Sequence, residues 1–521
     1  MDDKKGLFRD IFSDKSLQKE KNSMKKVIIV GGGVAGFTAG IYLRANGYET
    51  VILEKNAIAG GACIGWERQG CYIDGCIHWL AGCNPKSETY KLWRDTHAIT
   101  HDTKFFFQDD LMKMRHSDGH EFTYWTDLEK LKEELLTLAP EDKKEIHKFI
   151  KRVRRFQKVD PPALKPIELM NLFELIKLAF TKGGDLYWVN KFSKLSARDY
   201  VQRFKNPYIR DAVQDLIAPH YNFMSLLYML GHISGGDGGV PQGGSIAMVE
   251  RMEKRYLDLG GVIRKGAPVA KINVENNVTK GVTLKNGEVL EADWVVSAAP
   301  IEHTLVNLLD NQYRNKEMDL RLASVRNYPI YTYTTTVFKC PRHLADKSLS
   351  IKLRLSTPIT INRPYSHVTF RNYIYDDTLK GSDEYCVIQA TIHSDDDMYH
   401  WWRGVKASGR YKQEKQRVAE EMLALAKTLY PDVADELEVI DVVTPCTYER
   451  YLNSRHGCFQ GFIHTKRGKS LMQNGRIKGL QGFILAGQWI IQSGGLPAAV
   501  MSGRYAAQRI CHTDKKKFKD F

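Results

Sequence analysis

Apolar positions in this chain fall into short unbroken runs separated by longer stretches of helical period. That is the pattern of strands buried on both faces and joined by helices. The first run, residues 25–30 (Lys-Lys-Val-Ile-Ile-Val), predicts a buried strand. A helix-period stretch follows over 37–46, and a second apolar run over 50–53 ends on Glu54. The interval 86–229 reads as mainly helical, and a further helix is predicted over 246–259. Strands are predicted over 262–271 and 281–289 with the turn Lys285-Asn286-Gly287, whose Asn-Gly pair favours a hairpin. The run 294–300 predicts a buried strand returning to the first sheet. Alternation over 332–338, 351–355, 367–373 and 386–392 predicts an antiparallel sheet. Helix returns over 411–429, and the chain closes on a strand over 483–485 and a helix of small residues over 498–510.

Between the first strand and its helix lies Gly31-Gly32-Gly33-Val34-Ala35-Gly36, a G-x-G-x-x-G motif. Strand, glycine turn, helix, strand and acid follow in the order that holds a dinucleotide. Gly31 allows the tight turn, Gly33 lets the backbone approach a pyrophosphate, and Gly36 lets the helix lie against the strand. The helix N-terminus offers unpaired N–H groups to the phosphates. Glu54 is placed to accept hydrogen bonds from ribose hydroxyls and to repel a 2′-phosphate, which fits NAD or FAD. Gly60-Gly61 follow Glu54 within one loop. Far downstream, the 483–488 segment ends a strand on Gly487, and Ser493-Gly494-Gly495-Leu496-Pro497 opens a helix. A second helix N-terminus suits the electron-rich side of a flavin, so FAD is the expected cofactor. The glycine-rich 235–245 stretch has no strand before it and is not a second fingerprint.

At 521 residues the chain exceeds one simple core. The expected fold is α/β, with a discontinuous Rossmann-like FAD-binding domain over 24–85, 230–310 and 442–512. A substrate-binding domain of helices and antiparallel sheet is interleaved over 86–229 and 311–441. Residues 1–23 read as a charged extension, with Met24 an alternative start, and 513–521 as a basic tail. The 76 basic and 61 acidic residues give a net charge of +15, which suits an anionic partner. No zinc-finger, aromatic RNA-binding or helix-turn-helix pattern occurs, so nucleic acid is not an expected partner. Nine cysteines occur, four of them at Cys63, Cys71, Cys76 and Cys83 without C-x-x-C spacing. They read as free thiols of a reducing, cytoplasmic setting, and no metal is expected. No apolar run reaches bilayer length. The segment 167–180 is apolar around most of a helix and follows the basic stretch 143–158, with Lys151, Arg152, Arg154 and Arg155. It reads either as an interfacial anchor on anionic lipid, giving peripheral membrane contact over 143–182, or as a helix roofing a substrate cavity.

Further islands lie at 70–82, 240–245 and 486–503, with a weaker one at 444–451 joined by Gly457 and Gly461. On these motifs the chain resembles the flavin-dependent amine-oxidase-type superfamily, in its phytoene desaturase, carotenoid isomerase and retinol saturase branch. The stretch Asp74-Gly75-Cys76-Ile77-His78-Trp79 is similar to the retinol-saturase-like members. The resemblance implies a cofactor domain with a mixed sheet, a substrate domain with an antiparallel sheet under helices, and a tunnel for a long polyene-like lipid. It also implies cofactor contacts at Val34, Ala35, Lys55, Ala62, Val269, Ala298, Gln488, Gly495, Leu496 and Pro497, beside the glycines and Glu54 above. It departs from the family at Gln488, where an acid is usual, and at Ile58, where many members carry arginine.

The expected reaction is saturation or desaturation of an isoprenoid carbon–carbon bond by hydride transfer. His78 is the candidate proton donor, because an ordinary histidine titrates near neutrality; the alternative is a histidine packed by Trp79. Trp79, Tyr451 and Trp489 would wall the flavin or tunnel, or serve as plain core. Competing functions on the same architecture are a polyene isomerase or fatty-acid hydratase, an amine or porphyrinogen oxidase, and a non-catalytic escort for prenylated GTPases. The intact glycines and Glu54 argue against the escort.

Overall fold

The computed structural model describes residues 24–521 except Pro219, Ser470, Leu471 and Ser493. The 1–23 extension, and Ser493 of the C-terminal glycine motif, lie outside the described residues.

Five strands form the cofactor sheet: β1 (Lys26–Val30), β2 (Glu49–Leu53), β3 (Val262–Arg264), β4 (Trp294–Ser297) and β5 (Phe483–Leu485). Their spatial order is β5-β4-β1-β2-β3, all parallel. Val27 lies opposite Thr50 on one side and Trp294 on the other. After its first residue β1 is wholly buried, which explains its uninterrupted apolar run. The sheet contains no antiparallel strand among the described residues, which corrects the mixed sheet implied by resemblance. The antiparallel strands nearby, Val269–Glu275, Val278–Leu284 and Val289–Glu291, make a separate three-stranded sheet. The single strand predicted over 262–271 is therefore two. Gly266, at φ +66°, turns the chain between them. The Gly266 and Ala267 N–H groups donate to the Asn56 and Glu54 carbonyls at 3.0 and 2.8 Å.

Four helices position the site: α1 (Val34–Ala45), α2 (Leu172–Ser193), α3 (Asp396–Ala407) and α4 (Gly495–Thr513). Helix α1 begins three residues before the predicted start, because the last three motif residues are already its first turn behind the cap at Gly33. Every residue from Val34 to Leu43 is buried. Helix α4 packs against it so closely that a Cβ at Gly503 would lie 2.5 Å from the Ala35 carbonyl oxygen.

The second sheet has seven strands. Their spatial order is Glu438–Val443, Thr332–Pro341, Tyr385–Ser394, Pro364–Asn372, Ser350–Thr360, Asp110–His116 and Glu121–Trp125. The 86–229 interval is mainly helical and also supplies a hairpin to this sheet. The sheet is not purely antiparallel, which corrects that expectation, because Asp110–His116 runs parallel to Ser350–Thr360, with Ile351 opposite Lys113. All nine cysteines are unpaired, and all but Cys76 are buried.

The apolar helix predicted over 167–180 is broken. Residues Ile167–Leu169 form a 3-10 turn, and α2 starts after Asn171. The Glu174 N–H donates to Asn171 Oδ1 at 2.9 Å and the Asn171 N–H to Glu174 Oε2 at 2.8 Å, a capping box that restarts the helix. Of its 22 residues only Phe192 is fully buried. Leu172, Ile176, Phe173 (75 % exposed) and Phe180 (86 % exposed) face outward. The adjacent helix Lys143–Phe156 buries Ile146, Phe149, Ile150, Val153 and Phe156 while leaving Lys144, Lys148, Lys151 and Arg154 exposed. Its Arg155 guanidinium sits 4.9 Å from the Trp188 ring of α2. No helix among the described residues is long and apolar enough to cross a membrane.

Candidate functional site

The glycine motif forms a concave stretch of bare backbone. Gly31, at φ +104°, brings the chain within 3.4 Å (measured from its ideal Cβ) of the Ala298 backbone just after β4. Gly33 pairs with Gly60, and the Gly60 N–H donates to the Gly32 carbonyl at 2.8 Å. A Cβ at Gly61 would lie 3.3 Å from Gly33 Cα. Gly36 serves packing instead: its Cβ would fall 2.0 Å from the Gly31 carbonyl oxygen. Glu54 is buried at the end of β2. Its Oε2 accepts the Gly32 N–H at 2.9 Å and its Oε1 the Asn56 N–H at 2.8 Å. Lys55 turns away toward the C-terminal half, donating to the Arg450 carbonyl at 2.8 Å and Asn453 Oδ1 at 2.7 Å.

The other end of the chain closes the same site. The Gly487 N–H donates to Ser502 Oγ at 2.7 Å. Gln488 Oε1 accepts the Gly495 N–H at 2.9 Å, and its Nε2 donates to the Phe459 carbonyl at 3.3 Å. Gln488 therefore caps α4 with its amide, a role its expected use as a cofactor ligand did not include. Gly494, at φ +60° and ψ −151°, turns the chain into that helix.

One cavity of about 1470 Å3 is bordered by every candidate residue except Gly36. The amino ends of α1 and α4 both border it, through Gly33 to Ala35 and Gly495 to Pro497, with Ala62, Val269 and Ala298 alongside. His78, Trp79, Tyr451 and Trp489 border it further along. The loop bearing His78 is anchored by buried Asp74. Its carboxylate accepts the Cys76, Ile77 and Ser245 N–H groups at 2.8, 3.1 and 2.7 Å and the Ser245 hydroxyl at 2.7 Å. Asp74 thus ties the 70–82 island to the turn that opens the 244–258 helix. His78 borders the cavity with part of its surface open. Burial holds its pKa well below 6.5, helped by Arg371 and His393. That shift favours the neutral imidazole, so a role for His78 as proton donor would require its proton to come from a neutral ring.

The sheet side of the cavity holds polar groups that the sequence reading missed. Lys352 donates to the Asp215 carbonyl, and burial lowers its pKa. His367 Nε2 lies 2.7 Å from Asp215 Oδ2, and Arg363 pairs with Asp395 at 3.0 Å. His393 is held at about 4 by burial. The signal available was spacing: His367 with Thr369, and Thr391 with His393, sit two apart and so share a sheet face.

The profile of the family described as flavin containing amine oxidoreductase matches residues 34–511. The chain belongs to the flavin containing amine oxidoreductase family. A lycopene-forming phytoene desaturase of a Paracoccus strain is 23 % identical over 496 residues, covering 93 % of this chain and 97 % of that protein. The chloroplastic prolycopene isomerase of Daucus carota is 23 % identical over 540 residues, covering 96 % and 82 %. In fold the chain is similar to a putrescine oxidase (TM-score 0.60, 16 % identity, 94 % of this chain and 99 % of that one). It is also similar to an oxidoreductase from Methanosarcina mazei (TM-score 0.55, 14 % identity, 92 % and 99 %). The chain is an FAD-dependent oxidoreductase. The site fits the cofactor on its own geometry: a Cβ at Gly33 would meet the Gly60–Gly61 backbone at 3.6 and 3.7 Å, so two glycine turns present bare backbone side by side, and two helix N-termini from opposite ends of the chain border one cavity.

Proposed function

We propose that this flavoenzyme moves hydrogen across a carbon–carbon bond of a long apolar isoprenoid- or polyene-type lipid, in the saturating or desaturating direction. The observation that carries the reading is the double role of α2. Its Lys182, Leu186 and Val189 border the cavity, while its Leu172, Phe173, Ile176 and Phe180 are exposed and apolar. A lipid held at such a surface reaches the cavity without crossing water, so peripheral contact with a membrane goes with the proposal. The named activities of two relatives, on phytoene and on prolycopene, support a polyene.

Bound FAD supplies a hydride acceptor or donor. The chain's own contribution is placement. The glycine cradle and the α1 and α4 N-termini hold the dinucleotide, Trp79 and Trp489 exclude water, and neutral His78 offers one donor and one acceptor nitrogen. The polar groups around Lys352 narrow the substrate further. The Asp215 carbonyl takes one of the three Lys352 N–H donors, so a bare hydrocarbon laid against the other donors leaves them unsatisfied, and the reading is a polyene with an oxygen-bearing end set against Lys352.

The test is anaerobic reduction of the flavin, or its reoxidation after chemical reduction, with carotenoid, retinoid and fatty-acid panels presented in vesicles. A redox change with an oxygenated polyene, and none with polyamines or porphyrinogens, is the expected result. A redox change with a polyamine or porphyrinogen alone overturns the reading, and a rearranged polyene without any flavin redox change replaces it with isomerisation.

A further inference from the structure

Outside the cofactor cavity, Asp396, His400 and His456 bring one carboxylate oxygen and two imidazole nitrogens within 4.8 Å of one another. We propose that these three residues form a site for a divalent transition ion of the zinc class, and that the ion clamps α3 to the segment bordering the cofactor cavity.

The geometry is partly formed. Asp396 and His400 stand four apart on α3, so their side chains share one face of the helix. His456 comes from the opposite segment, and its Nδ1 lies 3.1 Å from Asp396 Oδ2. Tetrahedral zinc, with bonds of about 2.0–2.1 Å, sets its ligand atoms roughly 3.3 Å apart. That pair is therefore at ligand spacing already, and the exposed His400 ring, whose centroid is 4.6 Å from the His456 ring, completes the set by a small rotation. His456 adopts φ +48° and ψ +31°, a left-handed backbone that is uncommon outside glycine. The Tyr399 ring stacks on it with centroids 5.0 Å apart. The neighbouring cations are engaged elsewhere, Arg403 with Glu449 and Arg455 with Glu302. Two neutral imidazoles and one carboxylate leave a fourth position for water, and such nitrogen-rich sets select zinc, nickel or copper over magnesium or calcium. On binding, the ion takes the place of any proton between His456 Nδ1 and Asp396: from a neutral ring that proton shifts to Nε2, and from a protonated ring it leaves to solvent, so the bound ring is neutral either way.

Both sides of the site border the cofactor cavity. Asp395 immediately precedes α3, and Cys458, Phe459 and Gln460 follow His456. The three ligands escaped the sequence reading because Asp396 and His456 are 60 positions apart and carry no recognisable spacing.

The experiment uses untagged, FAD-loaded enzyme titrated with zinc and, separately, cobalt(II). One saturable ion per chain is expected, with cobalt giving the visible absorption of a tetrahedral site. Loss of an outer-sphere partner alone weakens metal sites about 10–100-fold, so His400→Ala, at an exposed position, is expected to weaken binding by about 100-fold or more and abolish the cobalt bands. Hydrogen exchange over 453–460 is expected to slow with zinc in the wild type alone. Absence of one-to-one binding, undiminished binding by His400→Ala, or exchange indifferent to zinc overturns the proposal.

Discussion

Two glycines of one motif, three residues apart, are expected to fail in different ways when a single methyl is added. A Cβ at Gly36 falls 2.0 Å from the Gly31 carbonyl oxygen, where ordinary contact begins at 3.4 Å. The clash is with the Gly31 backbone just after β1, so α1 has to move away from that turn. Overpacking of this kind costs about 1–3 kcal/mol, and the rigid partner puts Gly36→Ala at or above the upper end. Gly33 differs. Its φ of −86° suits any residue, and its Cβ would sit 3.6 Å from the Gly60 oxygen, an ordinary contact. Gly33→Ala therefore costs the fold no more than the poorer helix cap, about 1 kcal/mol. Its methyl would, however, stand between the two glycine turns, where the diphosphate is proposed to meet backbone N–H groups. Losing one charge-assisted contact is worth about 1.5–3 kcal/mol, or roughly 10–100-fold in affinity. Fluorescence titration of apo-protein with FAD, beside thermal unfolding of the same apo-protein, separates the two. Gly33→Ala is expected to melt near the wild type yet bind FAD weakly, and Gly36→Ala to melt several degrees lower. FAD binding by Gly33→Ala at wild-type strength would refute the placement of the diphosphate.

Replacing Phe173 and Phe180 together by Asp removes about 3–6 kcal/mol of apolar burial in lipid, so pelleting with anionic vesicles should fall at least about 100-fold with flavin content unchanged; undiminished pelleting rejects α2 as the docking face. Lys352→Met should weaken binding of an oxygenated polyene about tenfold and tighten that of a hydrocarbon, as expected for one hydrogen bond to a charged group; equal effects on both would sink the polar-end reading. Because His78 is held neutral well below 6.5, kcat/KM between about pH 6 and 8 should show no limb that His78→Gln removes, and the appearance of one would restore the histidine as a proton donor. His393 and His464 are held at about 4 by burial, whereas an unfolded histidine titrates near 6.5. The unfolded state thus binds more protons between those values, and stability is complete above about pH 6.5 and falls as pH drops toward 4. His464 contributes at most about 3 kcal/mol of that loss, and His393, which borders the cavity, contributes less. A urea midpoint indifferent to pH over this range contradicts the burial of these rings.

What was legible in the sequence was local in its physics. The β1–α1–β2 unit could be read because turn, helix dipole and buried strand are fixed by neighbouring residues, and the second helix N-terminus could be read for the same reason. The break at Gly266 was legible in Gly266 and Pro268, both breakers of a strand, but the apolar residues on either side were joined across them; the bonds from Gly266 and Ala267 to the Asn56 and Glu54 carbonyls show two strands. The 110–125 hairpin was hidden in a helical neighbourhood, although Met112 and Met114 alternate with charged residues and are buried on one face. Lys352 was unreadable for a different reason. A lysine in a strand ordinarily faces water, and nothing near it in sequence announces that its face lines a cavity.

The charge excess acquires a place once α2 is seen beside the Lys143–Phe156 helix. The apolar face of α2 and the outward Lys144, Lys148, Lys151 and Arg154 lie on adjacent helices. Near an anionic leaflet each such cation is worth about 1 kcal/mol, so four of them rival the two phenylalanines at the low end of their range. The two contributions separate by salt, because the electrostatic part is screened beyond roughly 8–10 Å at physiological ionic strength while apolar insertion is not. The proposed polyene substrate has almost no concentration in water, so on that proposal residence at the membrane surface would set its supply to the flavin. Turnover on vesicle-borne substrate should therefore fall with added salt or neutral lipid in parallel with vesicle binding, while turnover on detergent-dispersed substrate should not. If both assays respond alike, the basic helix acts on the chemistry and not on docking.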